Sequence, residues 1–168
     1  WRDGGYRRYN SRAEIMWFSP IRTVDDLVSK KKTFKSICGW IEWNIDWVER
    51  SIATPWPTAE QVLKAKRASC NGFSVLTYEA LKILGYEPHI IMLAWPAPKG
   101  KGGWDGDYHH AVTVFQDNGV LVCVDNGVLH YGREAEILDF MKRLRPTLRY
   151  CAEADKKGSH VQTLMSKI

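Results

Sequence analysis

Three side chains in this chain can do chemistry together: the thiol of Cys70, the imidazole of His110 and the carboxylate of Asp125. Taken singly each is ordinary, because a cysteine ahead of an apolar helix or a histidine beside a strand is most often core or a satisfied polar group. Their places relative to the predicted elements set them apart. Cys70 opens the apolar-periodic run 70–84. A helix N-terminus carries partial positive charge and unpaired amide protons, which favour thiolate over thiol. The Cys70 N–H is also placed to donate to an oxyanion. His110 begins the apolar run 110–115, and Asp125 follows the run 120–124. Asp117-Asn118-Gly119 between those runs is a β-hairpin turn signal. Strands joined by a tight turn bring residues near their open ends side by side, with β-carbons about 5 Å apart. The pattern predicts thiolate attack by Cys70 on an acyl carbon, with His110 as base and then acid and Asp125 as its orienter.

Competing chemistries use the same residues less well. A zinc site from Cys70, His109, His110 and Asp125 lacks the paired ligand spacing such sites draw on, and no C-x-x-C pair exists among Cys38, Cys70, Cys123 and Cys151. Asp105 and Asp107 supply too few oxygen ligands for calcium. No metal and no cofactor is therefore expected. His109 competes with His110, and strand alternation turns neighbours to opposite faces, so one of the two is expected to face Cys70. Cys38 and Cys123 read as small buried hydrophobes in apolar surroundings, and Cys151 has no assigned role.

The elements that must position these groups follow from periodicity. Residues 1–12 form an irregular arm. Thr23 with Asp26 marks a helix start. Phe34, Ile37, Ile41, Ile45 and Val48 recur at helical steps, so a helix is expected over 33–50, with Trp40, Trp43 and Trp47 thickening its apolar face. Thr54-Pro55-Trp56-Pro57 stops it in an extended segment. Thr58 and Gln61 then form a capping box. Gly85 follows the 70–84 run where a left-handed cap belongs. Beyond it the period changes: 89–95 reads as a buried strand, 96–107 as a glycine- and proline-rich loop, 128–131 as a further strand and 134–142 as a helix. From Cys151 onward the chain reads as a polar tail, 151–168. Helices followed by consecutive strands predict an α+β domain with an antiparallel sheet, the helix that carries Cys70 packed on it.

At 168 residues and 19.3 kDa, one domain is expected over 1–168. With 45% hydrophobic and 26% charged residues, disorder, collagen and coiled coil are excluded for the chain as a whole. No apolar stretch reaches the length of a membrane span. No signal peptide is visible, and the start at Trp1 rather than Met is expected of a processed or trimmed product, which leaves localisation unassigned. The net charge of +5 favours solubility or an anionic partner such as an acidic protein or a cell-wall peptide. Nucleic-acid binding is not favoured, since the basic residues do not alternate with aromatics along one element.

Several of these stretches resemble the transglutaminase-like superfamily of papain-like fold. The resemblance rests on Thr58-Ala59-Glu60-Gln61-Val62-Leu63, Ser69-Cys70-Asn71-Gly72-Phe73, Leu81-Lys82-Ile83-Leu84-Gly85-Tyr86, His110-Ala111-Val112 and Val124-Asp125-Asn126, and covers about 33–132. Within it, the order Asn44, Trp56-Pro57, Cys70, His110 and Asp125-Asn126 is most similar to the bacterial transglutaminase-like cysteine proteinases. That family flanks its cysteine with acidic residues, whereas here the flanks are Ser69, Asn71 and Gly72.

The resemblance implies a papain-like, transglutaminase-like core with Cys70, His110 and Asp125 as catalytic triad. It points to Asn44, or a tryptophan such as Trp56, as a second oxyanion donor. Trp56, Trp95, Trp104 and His109 are candidate substrate contacts, with the loop 96–107 bordering the cleft. The expected activity is that of a cysteine peptidase or amidohydrolase acting on a protein or peptide through a thioester. An acyltransferase of the protein cross-linking or amine-acylating kind would use the same triad, and a non-catalytic binding module on this fold is the third class.

Overall fold

The computed structural model describes residues 20–49, 55–99 and 106–166. The expected arm at 1–12 lies outside them. Helix α1 (Val24–Lys31) starts at a Thr23/Asp26 capping box, as the residue pattern predicts. Helix α2 (Phe34–Asn44) is capped by the Thr33 hydroxyl, which accepts the Ser36 N–H. It buries Phe34, Ile37, Cys38 and Ile41.

This helix is shorter than the 33–50 expected. Ile45 turns to extended backbone, and Asp46–Trp47 become strand β1. Helix α3 (Ala59–Ala65) begins at the Thr58/Gln61 capping box, and strand β2 (Arg67–Ala68) then pairs parallel with β1. That pairing ends α2: the N–H groups of Asp46 and Val48 donate to Lys66 O and Ala68 O at 2.8 and 2.9 Å. Trp43 and Trp47 do not thicken the apolar face; they are 76% and 54% exposed. Trp43 stands two residues past the buried Ile41, about 200° around the helix from it. Trp40 is half-buried, with the Lys66 ammonium 4.5 Å from its ring centroid.

Helix α4 (Cys70–Ile83) is the central helix, with nine buried residues. Gly85 follows it at φ +88, where its lack of a β-carbon is needed. Six strands come next in one sheet: β3 (His89–Pro96), β4 (Asp107–Asp117), β5 (Val120–Asp125), β6 (Val128–Gly132), β7 (Tyr150–Ala154) and β8 (His160–Ser166). Helix α5 (Ile137–Leu144) lies between β6 and β7 in sequence. The strand order is β6-β5-β4-β3-β7-β8, antiparallel throughout. The fold is thus α+β with an antiparallel sheet. Asn118 and Gly119 both take positive φ, 50 and 81, the two-residue turn that joins β4 to β5. Asn126 and Gly127 repeat it between β5 and β6, at φ 50 and 93.

Two corrections concern the sheet. Strand β4 begins at Asp107, three residues before the predicted start at His110. The predicted polar tail 151–168 is not a tail: β7 is inserted between β3 and β8, and Cys151 and Ala152 are fully buried. Local polarity misled here, because β7 is short and its neighbour in the sheet, β3, is distant in sequence.

The two faces of the sheet separate cleanly along β4. Thr113 and Phe115 face α4 and α2, where the Thr113 hydroxyl donates to Ser74 O at 3.0 Å and Phe115 packs on Phe34 and Leu81. Val112 and Val114 face α5, packing with Phe140, Met141 and Cys123. Cys38 and Cys123 are buried, as their contexts predict.

Candidate active site

Cys70 is the first residue of α4, and local packing holds it there. A β-carbon at Gly72 would stand 2.8 Å from Ala68 Cβ and 3.1 Å from Pro57 Cγ. Only glycine therefore lets the Trp56-Pro57 segment and the end of β2 close on the first turn of the helix. The Ser69 hydroxyl makes no cap bond to the helix; it donates to Asn71 Oδ1 at 2.5 Å. The same Oδ1 accepts the Gly72 N–H at 2.7 Å. The positive end of α4 is thus presented at Cys70.

His110 is on β4 and Asp125 ends β5. The β4–β5 ladder stops at the pair Thr113–Val124. The hairpin pattern places His110 side by side with Asp125; His110 instead lies beyond the end of the ladder. The offset is two residues on one face, within reach of a long side chain. His110 Nε2 meets Asp125 Oδ1 at 2.7 Å, and the carboxylate side chain is 1% exposed. Past the end of the ladder, Cys70 meets β4 at His110 and Ala111. The Cys70 thiol hydrogen-bonds the His110 ring and receives the backbone N–H groups of Ala111 and Asn71. With Nε2 committed to Asp125, Nδ1 is the ring nitrogen left for the thiol.

The electrostatics favour an ion pair. Burial opposes charge on the imidazole, yet the hydrogen bonds it donates to Asp125 and Cys70 push its pKa up to about 10. Burial likewise raises the Cys70 thiol, and the His110 hydrogen bond and charge outweigh it, so the net shift is downward. Buried Cys38 and Cys151 go the other way, to about 12, because desolvation is the dominant effect there. The imidazole is thus drawn toward its charged form and the Cys70 thiol toward thiolate, a direction opposite to that of the other cysteines.

The remaining predicted residues fall in different places. Trp56 and His109 line a cavity of about 70 Å³ whose wall includes Cys70 and His110. His109 and His110 both reach it, so strand alternation alone did not separate them; the bond to Asp125 does. Trp95 lies over the other side of His110, with ring centroids 6.1 Å apart and planes at 82°. Trp104 lies outside the described residues, as does Asp105. Asn44 is not brought to the site: it is exposed, and its Nδ2 donates to Trp40 O at 2.8 Å at the end of its own helix. The resemblance points to it as an oxyanion donor; at the last residue of α2 its side chain is instead turned to solvent and folds back on its own helix.

Reasoning from sequence also missed Met92 and Tyr150, which complete the cavity from β3 and β7. It missed Arg145, whose guanidinium sits 4.5 Å from the Trp95 ring centroid. No local signal marks Tyr150 or Arg145, since each arrives through strand order rather than spacing. Asp125 Oδ2 is buried with no hydrogen-bond partner among the described residues. No group of three or more His, Cys, Asp or Glu among the described residues could hold a metal ion. No helix among them is long and apolar enough to cross a membrane. No protein-family model and no curated protein matches this chain.

Proposed function

We propose that this protein is a cysteine hydrolase with a papain-like, transglutaminase-like core that cleaves a peptide or amide bond through a thioester on Cys70. The observation that carries the reading is the buried relay. A helix-terminal thiol meets an imidazole whose other nitrogen lies 2.7 Å from a buried carboxylate. The thiolate attacks the acyl carbon, and the charge that develops on the carbonyl oxygen is met by N–H groups of the first turn of α4. His110, protonated in the resting pair, gives its proton to the leaving amine as the C–N bond breaks. The neutral ring then takes a proton from water, whose oxygen attacks the thioester and releases the carboxylic acid and the thiolate. Asp125 holds the ring orientation throughout. The flanks Ser69, Asn71 and Gly72 bear no charge, so they set the helix turn and leave thiolate stabilisation to His110 and the backbone.

The test is the rate of alkylation of each cysteine by iodoacetamide against pH, read by mass spectrometry. Cys70 is expected to react fast well below the ordinary thiol pKa of about 8.5 and to lose that reactivity in His110→Ala. Equal rates at Cys70 and an unfolded thiol would sink the reading. Incubation with a glutamine donor and a fluorescent amine then separates water from amine as acceptor: a labelled product would reassign the protein to acyl transfer.

A further inference from the structure

We infer that the cavity beside Cys70 selects its substrate by size and charge, admitting a small, uncharged side chain next to the attacked carbonyl, and that Trp56 sets the limit. The inference rests on the acyl chemistry proposed above and adds the substrate class.

The cavity measures about 70 Å³. An apolar cavity of about 150 Å³ holds one benzene ring, roughly twice this volume, so a phenyl or indole ring exceeds the space, whereas the one carbon of an alanine or the three of a valine side chain fit it. Met92, Ala111, Tyr150 and Trp56 make the walls apolar, and no Asp, Glu, Lys or Arg lines the cavity among the described residues. Among the described residues, the titratable groups facing it apart from the Cys70–His110 pair are His109 and Tyr150. A charged side chain entering would lose its water and find no counter-ion, which costs more than the apolar contacts return.

Trp56 is the wall that is fixed from outside the cavity. Proline on each side of it, Pro55 and Pro57, restricts its backbone. Pro57 is seated on the first turn of α4 through Gly72. On the outer side the indole lies against Gly158 in the turn between β7 and β8. A β-carbon there would stand 2.5 Å from Cε2 and 2.6 Å from Nε1. The indole is thus held between the nucleophile helix and the last hairpin and cannot swing outward to admit a larger group without that hairpin moving.

The experiment uses the full chain and acetyl-aminoacyl chloromethyl ketones that differ only in the side chain: alanine, valine, phenylalanine, lysine and glutamate. The Cys70 thiolate displaces chloride from the methylene carbon and forms a thioether, which intact mass and peptide mapping read. Each rate is divided by the iodoacetamide rate of the same protein. Alanine and valine reagents are expected to label at least roughly tenfold faster than the other three, the scale on which a tight apolar pocket discriminates. Trp56→Ala is expected to raise the phenylalanine-to-alanine ratio at least roughly tenfold. Phenylalanine or lysine labelling as fast as alanine in the wild type overturns the inference, as does an unchanged ratio in folded Trp56→Ala. Should that variant not fold, Trp56→Phe carries the same test, and the wild-type series alone decides the size and charge limit. Slow iodoacetamide labelling of Cys70 brings down the nucleophile reading and this inference with it; fast labelling without discrimination refutes this inference alone.

Discussion

Replacing Asp125 by asparagine keeps the shape of the side chain and removes its charge, which isolates what that charge does to His110. In the wild type, burial disfavours the imidazolium, and the Asp125 hydrogen bond is the largest contribution opposing it, so the pKa stands at about 10. Asparagine Oδ1 can still accept the ring N–H, so what is lost is the difference between a charged and a neutral hydrogen bond, about 1–1.5 kcal/mol. At about 1.4 kcal/mol per pKa unit, that lowers the His110 pKa by about one unit. The sign follows from the direction of the shift. A histidine raised in the folded state contributes stability that is fully present below its ordinary value and is lost as pH rises through about 10. In Asp125→Asn that loss is complete at lower pH, and the proposed amide hydrolysis, in which His110 gives its proton to the leaving amine, is expected to lose its alkaline limb earlier by the same interval. The assay is NMR titration of the His110 ring in protein labelled at histidine. Four other histidines are present, so His110→Gln serves to assign the signal. A midpoint that stays put or rises in Asp125→Asn would refute the reasoning, because the carboxylate would then not be what holds the proton.

Two further predictions test the frame around the site. Gly127 sits at φ +93, and a β-carbon there would stand 2.8 Å from Glu42 N and 3.0 Å from Cys38 O, both on the α2 backbone. Gly127→Ala should destabilise by about 2 kcal/mol or more in urea unfolding, combining left-handed strain with an overpacked contact that backbone cannot relieve; a loss below about 0.5 kcal/mol, the range of ordinary surface changes, would mean the hairpin does not pack on α2. On α2 itself, Ile41→Ala should cost about 2–5 kcal/mol. Trp43→Ser, at a residue 76% exposed, should stay within about 0.5 kcal/mol. Comparable losses in the same melt would show that Trp43 is packed after all.

Much of the local structure was legible because it is governed by neighbours in sequence. Thr23 with Asp26 and Thr58 with Gln61 cap α1 and α3 as capping boxes, since the bonding groups are three residues apart. Asn118-Gly119 makes the β4–β5 turn because only such residues take two positive φ values in succession. The position of Cys70 at the start of α4 was legible for the same reason. The end of α2 was not, because backbone groups of β2, beyond α3, take the N–H groups of Asp46 and Val48. Trp47, now on β1, was misplaced as a consequence. Strand β7 was missed because its place between β3 and β8 depends on a partner far away in the chain.

The chain's order of residues thus dictated which groups can do chemistry and on which elements they ride, because capping, turn geometry and helical periodicity are short-range. Tertiary structure alone decided the rest. The β4–β5 ladder ends at Thr113–Val124, and beyond that end His110 reaches Asp125 diagonally and meets Cys70. Met92, Tyr150 and Gly158 reach the cavity or its Trp56 wall only through the sheet order β4-β3-β7-β8. The physical reason is common to both: strand pairing and desolvation act between segments that share no local signal, and it is desolvation against two charged partners that sets the protonation of His110.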